Sequence, residues 1–227
     1  MLTAWLPNIS YLQDEAQYFK EKGVYYWQVE TGYFMNYVTG DSNAGNGLWY
    51  YDLYTYLIKH LWWNVNADMD ALIDEFIELY HGSAAKTYMT GFYNTMEGVI
   101  DSLRTANYSA NNTVNDRFSV FNDVGLGTEY WTKSTLMDAM SYCNSAINAV
   151  NEDSTLTAAE KAEYVKHITA AKMIPLSLYL KNYITYNGTS DGITDYREAF
   201  RSAAALVGLK RMNGSLNVDE WLSGLTS

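Results

Sequence analysis

Hydrophobic positions recur at helical spacing through most of this chain. In the first such segment, residues 10–23, the apolar residues Leu12, Ala16 and Phe19 lie three or four positions apart. This spacing predicts an amphipathic helix. Gly23 stands where a left-handed residue commonly ends a helix.

The segment VYYWQVE, at 24–30, is dense in β-branched and aromatic residues and predicts a short strand. A helix, a glycine and a buried strand in this order are typical of an α/β barrel or a doubly wound sheet. In an α/β barrel the active site lies at the carboxyl ends of the strands. Glu30, with Trp27 and Tyr33 near it, is therefore the candidate for substrate contact. The alternative is that Glu30 ends a loop or pairs with an arginine.

Two amphipathic helices are predicted next, at Leu48–Trp63 and Met69–His81, with Asp68 or Asn66 as the cap of the second and Gly82 as its end. Their apolar faces are formed by Leu53, Leu57 and Leu61 in the first helix, and by Leu72, Ile73, Phe76, Leu79 and Tyr80 in the second. The four acidic side chains of the second helix follow its polar face, so they predict a solvated surface and no metal site.

The remaining chain predicts a succession of further helices. Their expected ranges are 83–105, 132–151, 157–186, 194–206 and 218–222. Pro175 is expected to kink or split the third of them, and residues 107–115 predict a polar loop. The fold class is therefore mainly α. A terminal helix–strand unit of an α/β barrel, at 1–46, precedes a bundle-like domain of six to eight helices at 47–227.

Composition narrows the classes of function. Aromatic residues reach 15%, with 21 Tyr and 7 Trp. This richness has two interpretations: rings that stack on sugars, or rings that pack in the core. The net charge of −11 argues against nucleic acid and anionic membrane surfaces as partners. No apolar run approaches the roughly 18 residues that span a bilayer, which predicts no membrane insertion.

No complete catalytic constellation stands out in the sequence. The only cysteine, Cys143, lies in a predicted helix among apolar residues and is expected to be buried and inert. His60, His81 and His167 form no zinc motif, and we expect structural roles for them. His81 is placed at a helix C-terminus, where a cationic form is favoured. Neither a cofactor nor a metal is predicted, and the catalytic residues remain unassigned.

Two blocks of residues carry a family resemblance. The first is a helix ending in Lys20-Glu21 and then Gly23-Val24, followed by a strand that ends near Glu30. The second block consists of Asp52, Leu53, Tyr56, Leu57, Leu61 to Asn64, Asp68 to Phe76, Tyr80, Gly82, Ala84 and Ala85. Over about residues 10–100 the chain resembles a bacterial family of unknown function found in secreted glycoside-hydrolase-like proteins. His81 departs from the pattern, which more often has a tyrosine there.

The resemblance implies an N-terminal barrel akin to those of α-glucuronidases and hexosaminidases, followed by a helical region. The chain carries one barrel unit, so whether it is an enzyme stays open. We expect a helical region that supports a barrel domain and lines a carbohydrate cleft. The alternative is a non-catalytic helical module that binds glycan or protein. The resemblance also implies a secreted or cell-surface bacterial protein with its signal peptide upstream. The unpartnered strand predicts a homodimer.

Overall fold

The computed structural model describes residues 9, 12–24, 49–111, 127–212 and 216–225, which form a mainly α structure. The helices of these residues are α1 (Leu12–Glu21), α2 (Trp49–Trp63), α3 (Met69–His81), α4 (Lys86–Asn111), α5 (Lys133–Glu152), α6 (Ala158–Lys181), α7 (Tyr183–Asn187), α8 (Ile193–Val207) and α9 (Val218–Gly224). Eight helices thus follow α1, which confirms the predicted bundle of six to eight. The strand predicted at 24–30 lies outside the described residues from position 25 onward, as do its loop and the predicted boundary at 46/47.

Helix α6 is the centre of the bundle. Nearly every side chain from Ile168 to Leu180 is buried, and a helix that is apolar on all sides belongs in a core. It packs against α5 and α8 on one part of its surface and against α2 and α3 on another. Lys172 is the exception in this span, and its Nζ donates a 2.7 Å hydrogen bond to Oδ1 of Asn144 on α5.

The first three helices pack through the leucine stripe predicted for α2. Leu53, Leu57 and Leu61 are each fully buried, and Leu12 of α1 is buried with them. Helix α3 presents the face formed by its positions 73, 76, 77 and 80. The prediction that Leu79 shares this face is wrong, because it lies two positions beyond Ile77 and is 65% exposed.

Local capping signals determine where several helices begin. Oδ1 of Asp68 accepts a 3.0 Å hydrogen bond from the Ala71 N–H at the start of α3, as predicted. Thr157 and Glu160 form a reciprocal capping box at the start of α6. A 3-10 turn at Ser83–Ala85 separates α3 from α4.

Two predicted helix ends are wrong. Helix α4 continues to Asn111, six residues beyond the predicted end at 105. Helix α6 continues through Pro175 and ends at Lys181, one position before Asn182. Proline removes one backbone donor, but the side chains around Pro175 are buried and their packing holds the helix together. Within the described part of the chain, no helix is long and apolar enough to cross a membrane.

Candidate functional site

A groove of about 550 Å³ lies between the C-terminal ends of α1 and α2. Its lining combines aromatic, aliphatic and polar residues: Ala16, Phe19, Lys20, Gly23, Val24, Leu61, Trp62, Trp63, Asn64 and Val65. Leu61 is fully buried at the base of α2. The groove is therefore open at the surface while its floor is continuous with the hydrophobic core.

The wall of the groove on the α1 side is built by the way that helix ends. Gly23 has a φ of 69°, in the left-handed region that a glycine adopts at low cost. Its N–H donates to the Lys20 carbonyl at 3.1 Å, and the Val24 N–H donates to the Phe19 carbonyl at 2.9 Å. These two bonds form a Schellman motif, which folds Val24 back beside Phe19. The predicted stop at Gly23 is confirmed.

Two glutamines of α1, which the sequence patterns did not mark, attach this helix to the opposite wall. Nε2 of Gln13 donates to the carbonyls of Val65 and Ala67, at 3.2 and 2.6 Å. Nε2 of Gln17 donates to the Val65 carbonyl at 3.3 Å. These bonds join α1 to the turn after α2 and so connect the two sides of the groove.

Two adjacent tryptophans dominate the exposed surface of the groove. Trp62 is 52% exposed and Trp63 is 93% exposed. Successive helical residues point about 100° apart, so both cannot follow the buried leucine stripe of α2. On the neighbouring helix, Tyr18 is also exposed, and Nζ of Lys22 lies 5.3 Å from the centre of its ring.

A second cluster of polar groups joins α2, α3 and α6 inside the bundle. The Tyr80 hydroxyl donates to Oδ2 of Asp52 at 2.5 Å, and the Tyr80 ring stacks on the His167 ring at 3.9 Å. Nε2 of His167 lies 3.1 Å from Oε1 of Glu163. Burial raises the pKa of Asp52, while the Tyr80 hydrogen bond and the His167 charge act in the opposite direction. We call Asp52, Tyr80, Glu163 and His167 the core polar cluster.

His81 lies next to this cluster and corrects one expectation. The side chain is fully buried, and its ring meets Tyr80 edge-on with centroids 5.0 Å apart. Burial lowers the pKa of His81 well below its usual value. The cationic form expected at a helix C-terminus is therefore not favoured, because loss of hydration outweighs the helix dipole.

The residues predicted from sequence to contact substrate, Trp27, Glu30 and Tyr33, lie outside the described residues. Cys143 is buried as predicted, and burial raises the pKa of its thiol, which disfavours the nucleophilic thiolate. In the described part of the chain, no group of three or more His, Cys, Asp or Glu side chains could hold a metal ion.

Comparison with known proteins found one family whose model matches the N-terminal part of the chain. A family described as a domain of unknown function (DUF4838) matches residues 1–94, which contain α1, α2, α3 and the groove. The match confirms that this part of the chain carries a domain of unknown function. No curated protein and no solved structure matches the chain.

Proposed function

We propose that this chain is the helical region of a carbohydrate-active, glycoside-hydrolase-like protein, and that the groove between α1 and α2 binds part of a glycan. The observation that carries the proposal is the pair Trp62 and Trp63, which stand largely exposed on a groove of about 550 Å³. A tryptophan that is 93% exposed leaves a large apolar ring in water, and large exposed apolar surfaces commonly mark binding sites.

Tryptophan rings suit sugars because of their shape and polarity. A flat ring can cover the apolar face of a pyranose, and its indole N–H can donate a hydrogen bond at the edge. The two rings, with Phe19 across the groove, offer aromatic surface on both walls. A ligand with apolar faces and polar edges therefore fits this groove better than a purely apolar one.

The polar residues of the groove add donors and acceptors at its rim. Lys20 and Asn64 line it, and Oδ1 of Asn64 accepts a 3.0 Å hydrogen bond from the Asn66 N–H. This bond orients the Asn64 amide, whose NH₂ group is a donor. A few convergent polar groups on an otherwise apolar surface are the usual arrangement of a small-ligand site.

The proposal extends along the chain to the residues that follow Val24. Val24 lines the groove, and Trp27 is only three positions further on. We include Trp27, Glu30 and Tyr33 in the glycan-binding surface, with Glu30 as the carboxylate that accepts hydrogen bonds from sugar hydroxyls. A protein that acts on environmental glycans works outside the bacterial cell, so export belongs to the same proposal.

A second candidate function is favoured by the apolar neighbours of the tryptophans. Val24 is 44% exposed, and together with Trp62 and Trp63 it lines the groove at the ends of two helices. Such a surface also suits packing against a folded protein domain, such as the barrel that the resemblance implies. In that case the helical region supports another domain and binds no glycan itself.

Glycan-array binding by the intact chain separates these two functions. The proposal predicts that wild-type protein binds one class of glycan, and that W62A and W63A each lose most of the signal. Y88A is the matched control, because Tyr88 is also exposed but does not line the groove. Circular dichroism checks that each variant is folded. A folded wild-type chain that binds no glycan, or a W63A variant that binds normally, would overturn the proposal.

A further inference from the structure

The ring of His167 is held between two acceptors. Its Nδ1 lies 2.7 Å from the main-chain carbonyl oxygen of Tyr80, on α3. Its Nε2 lies 3.1 Å from Oε1 of Glu163, one turn earlier on α6. A carbonyl oxygen and a carboxylate oxygen can only accept, and a neutral imidazole has one N–H. Only the doubly protonated ring can donate to both partners.

The surroundings of the ring also favour a positive charge. The face of the Tyr80 phenol is stacked on it at 3.9 Å with an angle of 9° between the planes, and a cation is attracted to such a face. The positive charge of His167 acts to lower the pKa of Asp52 on α2, and the Asp52 carboxylate is partly buried. Glu163 supplies a second negative charge at the opposite edge.

The other charged and titratable groups near His167 do not take its place between the Tyr80 carbonyl and Glu163. His81 on α3 is close enough for the two charges to repel, and burial already keeps it neutral. Lys166 on α6 lies 4.0 Å from Glu163, so it shares that carboxylate at a longer distance. The Tyr80 hydroxyl is already committed to Asp52.

We propose that His167 is a proton-operated latch between α6 and the end of α3. As an imidazolium it ties the Tyr80 carbonyl to Glu163 and balances the charge of Asp52. When the proton leaves Nε2, the remaining N–H stays on the Tyr80 carbonyl and a lone pair then faces the Glu163 carboxylate. Glu163 is 56% exposed, so it turns into solvent, and Asp52 is left without its balancing charge.

The latch joins two parts of the chain with different relatives. Helices α2 and α3 lie within the segment that the family matches, and α6 lies beyond it. An imidazole ordinarily changes charge near neutral pH. The latch therefore makes the attachment of the later helices to this domain tighter in mildly acidic surroundings and looser in neutral or alkaline ones.

The direct test is nitrogen NMR of the histidine rings in the intact chain. Between mildly acidic and mildly alkaline solution, the ring of His167 should change from two N–H groups to one, on Nδ1. Over the same change, amide exchange in the last turn of α3 should rise by more than the intrinsic pH effect. A His167 ring whose protonation is the same in mildly acidic and mildly alkaline solution, whether single or double, overturns the proposal, and this measurement needs no variant.

A set of variants checks that the effect runs through this residue. H167Q and E163Q should each reduce the pH-dependent difference in Tm, which we expect to be about 2–4 °C in the wild type. H60Q is the matched control, because His60 is exposed and its ring lies against that of Tyr56, with the ring centroids 4.5 Å apart. The same pH-dependent difference in H167Q as in the wild type would contradict the latch. Glycan binding is not needed for either readout.

Discussion

The hydroxyl of Tyr80 donates a 2.5 Å hydrogen bond to Oδ2 of Asp52, and this bond joins the last turn of α3 to the first turn of α2. Burial and the charge of Asp52 both raise the pKa of Tyr80, so the phenol stays protonated and remains a donor. The bond is partly buried within the bundle, where an unsatisfied acceptor is costly. It holds together the two helices that carry most of the family resemblance.

Replacing Tyr80 by phenylalanine removes this donor and leaves the Asp52 carboxylate without it. We expect Y80F to lower the free energy of unfolding by about 2 kcal/mol, the usual scale for a hydrogen bond to a charged group. Urea denaturation measures the loss. Y88F is the control, because Tyr88 lies at an exposed position of α4 and its change should be near zero. A Y80F variant as stable as the wild type would show that the bond contributes nothing.

The pKa of Asp52 makes stability depend on pH with a definite sign. Burial raises this pKa above its ordinary value of 3.8, so the folded protein holds the proton more tightly than the unfolded chain does. The contribution of Asp52 to stability is therefore fully present below pH 3.8 and is lost as the pH rises through the folded value.

D52N tests this sign, because asparagine keeps an acceptor for Tyr80 and never ionises. The stability of D52N relative to the wild type should increase as the pH is raised from about 3 to about 7. Urea denaturation at a series of pH values measures the difference. D138N, at an exposed position of α5, controls for the loss of one negative charge. A relative stability of D52N that falls with rising pH would contradict the argument.

Two glycines with opposite surroundings give a matched pair of substitutions. Gly82 ends α3 with a φ of 85°, and an added Cβ would lie 2.9 Å from the Tyr164 ring. We expect G82A to be destabilising by about 1–3 kcal/mol, because the backbone is strained and the ring must move. Gly98 lies within α4 with open space around it, so G98A should be stabilising by about 0.5–1 kcal/mol. Thermal unfolding measures both, and equal effects would contradict this account.

Glu30 is the carboxylate that we assign to the proposed glycan site. E30Q keeps the size of the side chain and removes its charge, so hydrogen bonds from sugar hydroxyls become weaker. We expect glycan affinity to fall by roughly tenfold or more, and calorimetric titration measures it. E152Q, at the exposed end of α5, is the control. Unchanged affinity in E30Q would remove Glu30 from the site without affecting the role of the tryptophans.

The elements that could be predicted from sequence are those with strong local signals. Helix α3 begins and ends at the predicted residues, Met69 and His81, because an aspartate cap precedes it and a glycine with positive φ follows it. The capping box of Thr157 and Glu160 is a local signal of the same kind at the start of α6. These signals act within one turn of the helix and need no knowledge of the rest of the fold.

The errors fall where packing overrides a local rule. Proline is a helix breaker in isolation, but Pro175 lies in a span whose neighbours are buried, and the break comes at Asn182 instead. Ile77 is almost completely buried and Leu79 is largely exposed, although both are apolar residues of one helix. Only the positions of the neighbouring helices determine which side of α3 faces the core.

The groove was only partly foreseeable. The stripe of Leu53, Leu57 and Leu61 already implied that Trp63 points away from the apolar face, and this signal could have marked it as a surface residue. The bonds of Gln13 and Gln17 to backbone carbonyls 48 to 54 residues away have no sequence signature. Much of the tyrosine content has a structural role, since Tyr179, Tyr183, Tyr186 and Tyr196 contact one another ring to ring.

The central claim is that Trp62 and Trp63 bind glycan, and the indole N–H signals in an NMR titration test it most directly. The glycan selected on the array is added to isotope-labelled intact chain. We predict that the signals of Trp62 and Trp63 shift with one common binding curve, while the signal of Trp131, which is 1% exposed, stays in place. Binding without any shift at Trp62 and Trp63, or no binding at all, would contradict the account.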